Sequence, residues 1–96
     1  MPAYVIVIRE EPLHNPAEYE KYRQLGTQGP RNPSLRPLAI NSPVTSLEGA
    51  GADDVVMLEF PSVEEAKAWY DSPEYQAIVP HRLAAAKYRS FIFEGL

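Results

Sequence analysis

Apolar positions along this chain follow two rhythms, short continuous runs and stripes at helical spacing, and their succession predicts the elements. Residues 4–8 (Tyr-Val-Ile-Val-Ile) form a run with large side chains on both faces, a strand that Arg9-Glu10-Glu11 carries out into solvent. A helix is expected from Pro16. Asn15 stands three residues before Glu18, the arrangement that satisfies free amide protons at a helix start, and a proline at the first helical position has its φ already set. Tyr19 and Tyr22 face inward, with Leu25 as a further candidate, and Gly26 is expected to end the helix. Residues 29–37 hold three prolines and a glycine and read as a surface loop. Residues 38–41 and 44–47 read as one irregular strand interrupted at Ser42-Pro43, where the proline points to an edge position or a bulge. Residues 48–54 are a hairpin-type connection.

The second half repeats the scheme more sharply. Residues 55–60 (Val-Val-Met-Leu-Glu-Phe), closed by Pro61, fit a central strand. Ser62 and Glu65 form a capping box, and Val63, Ala66 and Tyr70 follow at helical spacing with Trp69 at the edge of that face. Asp71-Ser72-Pro73 breaks the helix, because the residue before a proline is pushed out of the α region, and Ser72 with Pro73 starts another at once. Its apolar stripe is Tyr75, Ile78, Val79, Leu83 and Ala86, with Pro80 expected to kink or restart it. Residues 88–94 close the chain with an aromatic-rich strand.

The order strand, helix, strand, strand, helix, strand matches the split βαβ, ferredoxin-like arrangement: an α+β fold with a four-stranded antiparallel sheet and helices on one face. The whole of residues 1–96 is read as one domain. Helices enough for one face leave the other bare, yet the first and third runs are apolar on both sides. A large apolar patch marks an interface, so a homodimer packed through the open sheet face is expected.

Composition narrows the function classes. A hydrophobic content of 45% and a charged content of 23% are those of a soluble globular chain. No run is long enough to span a bilayer and no signal-peptide pattern opens the sequence, so no membrane association is expected. The absence of cysteine rules out disulfides and thiol catalysis and is compatible with a cytoplasmic setting. A net charge of −4 argues against nucleic acid as the main partner.

The run VVMLEFPSVEEAKAWYDSPEYQAIVPHRLAAA, with the aromatic strand and the terminal Glu-Gly-Leu, resembles the domain-of-unknown-function family 1330, and most specifically at EFPS and WYDSPEYQ. Residues 26–47 depart from the family pattern. The resemblance implies the dimeric α/β-barrel superfamily and a ferredoxin-like dimer, but no reaction. Superfamily relatives include cofactor-free monooxygenases, lactone isomerases and haem-degrading or haem-peroxidase proteins.

Arg82 is the most informative polar residue, since it falls in the middle of an apolar stripe. A guanidinium there must be paired or must border a cavity. Glu59, on a strand among apolar neighbours, is the carboxylate expected to pair with it, with one guanidinium edge facing the cavity. The alternative is an anion site for a ligand carboxylate or phenolate. His81 is either a surface histidine or a general base, and a haem ligand as a third reading. Strand one lacks the asparagine that haem-degrading relatives use, so no cofactor is expected. No metal-ligand spacing and no Gly-rich phosphate loop appear. The functional expectation is a small aromatic or carboxylated molecule bound, or transformed, between sheet and helices. Tyr22, Trp69, Tyr75, Arg82 and Glu59 contact it, and His81 is the catalytic candidate. The alternative is a non-catalytic dimerisation module, with a haem-binding or cofactor-free monooxygenase relative, as the resemblance allows, a less favoured one.

Overall fold

The two most regular apolar runs become the central strands. In the computed structural model, which describes residues 1–29 and 31–96, β1 (Ala3–Arg9) pairs antiparallel with β3 (Asp54–Phe60), Ala3 opposite Phe60 and Arg9 opposite Asp54. Pro30, part of the loop expected over residues 29–37, lies outside the described residues. β4 (Tyr88–Glu94) flanks β1 and β2 (Arg36–Ser42) flanks β3, so the order across the sheet is β2-β3-β1-β4. With α1 (Pro16–Gln28), α2 (Val63–Asp71) and α3 (Pro73–Ala85), the last two a helix broken at Ser72, the fold is ferredoxin-like α+β with all helices on one side.

Strand alternation sorts the side chains between the faces. Ala3, Val5 and Val7 of β1 and Leu58 and Phe60 of β3 are buried beneath the helices, where they form the core with Ala66. The opposite parity (Tyr4, Ile6, Ile8, Val55 and Met57) lies on the open face, joined across β4 by Phe93 opposite Tyr4 and Phe91 opposite Ile6. α2 lies on β1, β3 and β4, while α1 packs chiefly along α3 and has no fully buried side chain, Tyr22 being half-buried. No helix among the described residues is long and apolar enough to cross a membrane.

The caps act as the sequence predicts. Asn15 accepts from the Glu18 amide, Ser62 from that of Glu65 and Ser72 from that of Tyr75. The Ser72 hydroxyl also donates to the Trp69 carbonyl at 2.7 Å, so one side chain closes α2 and opens α3.

Four local expectations are corrected. α1 continues past Gly26 to Gln28, because Gly26 keeps a negative φ and the roughly 1 kcal/mol helix penalty of a glycine is too small to stop it. α3 runs without interruption through Pro80, whose exposed ring costs one hydrogen bond on the solvent side and no core packing. Leu83 is 54% exposed, and the buried stripe is instead Tyr75, Val79, Arg82 and Ala85. Residues 44–47 form no strand: β2 begins at Arg36, shifts register twice against β3 and stops at Ser42. Asn41 at φ 51 lies in the second of these shifts, and Pro43 offers no amide to carry the ladder past Ser42.

Candidate functional site

The break between α2 and α3 brings aromatic side chains together. Trp69, at the end of α2, packs against Phe60 of the core at 5.5 Å between ring centroids and against Tyr75, in the first turn of α3, at 4.2 Å. Because Ser72 fixes the angle between the helices, the Trp69 and Tyr75 rings share one wall of a cleft of about 810 Å³. Leu25 of α1, Ile78 of α3 and Leu35 add apolar lining, and Arg31 and Glu74 bring charge to it. The wall at Leu35 is shaped by a turn in which Asn32 Oδ1 accepts from the Ser34 amide at 2.9 Å and the Asn32 carbonyl from the Leu35 amide at 3.2 Å.

Tyr22 of α1, which is not itself part of the cleft lining, shares a hydroxyl–hydroxyl hydrogen bond of 2.8 Å with Tyr75, their rings edge to face at 6.2 Å. Burial pushes the Tyr22 hydroxyl well above the usual phenol range, so it stays protonated. Behind Tyr22 lies Arg82, only 3% exposed. Its guanidinium carbon stands 5.8 Å from the Tyr22 ring and 4.8 Å from the Tyr88 ring, a cation between two π faces. Nε and Nη1 of Arg82 and Oη of Tyr88 are buried without a hydrogen-bond partner among the described residues. At the adjoining end of the sheet, Arg9 is taken by Asp53 at 2.7 Å. Asp54 is buried there, and burial raises its carboxyl pKa.

The expected pair between Glu59 and Arg82 is not formed. Glu59 has the parity of Val55 and Met57 and so stands on the open face, where it meets Arg36 at 3.7 Å, while Arg82 lies on the helix side. Strand alternation forbids the contact, since the sheet itself separates the two groups. Of the residues expected at the site, Tyr22, Trp69, Tyr75 and Arg82 therefore form one continuous row, and Glu59 is excluded from it.

His81 is placed apart from the cleft lining. Its Nδ1 meets Glu18 Oε2 at 2.5 Å across the α1–α3 seam. The hydrogen bond to His81 lowers the Glu18 pKa. Three participants escaped the sequence reading: Glu18 as the partner of His81, Leu35 as a cleft wall and the Tyr88 hydroxyl beside Arg82. For Tyr88 the signal was available, because strand register places it with Arg9 and Asp54 on the helix-covered face. Among the described residues no group of His, Cys, Asp or Glu side chains converges as a metal site.

The family model described as Domain of unknown function (DUF1330) matches residues 2–96. No curated protein matches the chain.

Proposed function

The chain belongs to the DUF1330 family, and we propose that within this fold it binds a small aromatic or carboxylated molecule in the cleft between α1, α3 and the 31–37 segment. The observation that carries this reading is the cleft itself. At about 810 Å³, walled by Trp69 and Tyr75, it lies within the size range of small-molecule sites, which are mostly apolar with a few placed polar groups. A cavity-free interior would have favoured a purely structural module. His81, held by Glu18 away from the cleft lining, supports binding over turnover. The cysteine-free sequence supports a cytoplasmic setting.

The test is a thermal-shift screen of small aromatic acids, lactones and haem, with Trp69 fluorescence as a second readout. A true ligand at a hundred times its Kd stabilises the folded state by about 2.7 kcal/mol. If no compound shifts the melting temperature or changes Trp69 emission, the reading is wrong.

A second reading concerns assembly and rests on the open face. Tyr4, Ile6, Ile8, Val55, Met57, Phe91 and Phe93 there form an apolar field, with Arg36 and Glu59 of one edge and Arg89 and Glu10 of the other carrying both signs of charge. Apolar centres with rims of mixed charge suit a self-complementary twofold contact, and we propose that a second copy of the chain covers this face. Sedimentation should give a dimer that Phe91→Glu converts to monomer. A wild-type monomer at micromolar concentration overturns the proposal.

A further inference from the structure

Arg82 sits among groups that leave its charge unanswered. A buried guanidinium ordinarily meets a carboxylate, because its N–H donors lose water on burial and are costly to leave empty. Here two tyrosine rings face the cation but accept nothing from Nε or Nη1. Glu59 is on the far side of the sheet, Asp53 is engaged by Arg9, and Asp54 makes no ion pair with Arg82. The Tyr88 hydroxyl lies beside Arg9 as well as Arg82; burial keeps it protonated, and with no acceptor for its proton it is a third donor beside the guanidinium. Three buried donors with no acceptor among the described residues define a site complementary to an oxyanion.

That site is joined to the cleft through one side chain. Tyr22 has its hydroxyl on Tyr75, a cleft residue, and its ring against Arg82. A ligand that enters along Trp69 and Tyr75 meets Tyr22 next, and Arg82 when Tyr22 turns aside. Resting on the cleft reading above, we infer that the ligand is an aryl carboxylate. Its ring lies against Trp69 and Tyr75, and its carboxylate takes the free donors of Arg82 Nε, Arg82 Nη1 and Tyr88 Oη once Tyr22 yields. The planar, weakly hydrated guanidinium suits a carboxylate better than an ammonium would.

The experiment is calorimetric titration of the full chain with hydrocinnamate and with its neutral alcohol, following Trp69 emission in parallel. Wild-type protein should prefer the acid by at least about 10-fold, the worth of a charge-assisted hydrogen bond. Tyr88→Phe removes only the hydroxyl and keeps the ring against Arg82, and it should reduce that preference by roughly 10-fold while sparing the alcohol. Arg82→Lys keeps the charge and loses the fork, and should reduce it further. If acid and alcohol bind equally and neither variant changes their ratio, the three donors hold no ligand and the inference is overturned, while the cleft reading stands. If neither compound binds or disturbs Trp69, the cleft reading fails and the inference fails with it.

Discussion

Replacing Arg82 with methionine tests the least comfortable feature of this interior. Methionine keeps most of the stem's apolar volume and removes the charge with its unpartnered donors. Each buried donor without an acceptor costs about 1–3 kcal/mol, and the desolvation of an ion adds several more. Against this, the Tyr22 and Tyr88 faces each return up to about 2 kcal/mol through the cation–π contact. The balance favours methionine, and Arg82→Met should stabilise the ligand-free protein by about 1–4 kcal/mol. For a domain of this length that is a rise in melting temperature of roughly 4 °C or more. Urea unfolding at fixed protein concentration is the assay, with an increased midpoint and an unchanged slope as the expected result. A loss of more than about 1 kcal/mol would refute the reasoning, because a paired guanidinium behaves that way: breaking its pair costs roughly 3–5 kcal/mol.

Other perturbations follow from features at the ends and seams of the elements. At Gly95, whose amide bonds the Pro2 carbonyl, an added Cβ would overlap the Tyr4 ring, so Gly95→Ala should lower stability by about 1–3 kcal/mol in chemical denaturation. Pro80→Ala, at an exposed position inside α3, should raise stability by up to about 3 kcal/mol, and a decrease would show that the ring has a packing role. Glu18 has its pKa lowered from 4.5 by the His81 hydrogen bond, so its stabilising contribution is present above that pH and is lost as pH falls below it. Thermal melts across acid pH should show this loss in wild type and a flatter profile in Glu18→Gln.

Strands β1, β3 and β4 and the three helix starts were legible because each depends on local chemistry: continuous apolar runs, and Asn15, Ser62 and Ser72 facing free amides. β2 was not, since an edge strand with Pro37, a register shift and an upturned Asn41 has no period to read. Arg82 was correctly placed in the buried stripe and wrongly partnered. The error lay in treating Glu59 as near because it is surrounded by apolar neighbours, when its odd-numbered parity with Val55 and Met57 already put it on the other face. Leu83 and Arg82 exchanged roles for a similar reason: hydrophobicity favoured leucine, while spacing from Tyr75 and Val79 favoured arginine. The His81–Glu18 contact joins residues 63 positions apart on two helices, and nothing local announces it.

α1 has a kinetic consequence that follows from its having no fully buried side chain. Free energies of partial opening track the apolar area that must be uncovered, and here the fastenings are mainly the Tyr22–Tyr75 and Glu18–His81 bonds and one from Tyr19 to Asn41. Amide protons of α1 should therefore exchange with solvent far sooner than those of β1 and β3, which are released only when the whole domain unfolds. The same excursions expose Arg82, so the interval between them, rather than the rate of molecular collision, sets how quickly its charge can be reached from outside.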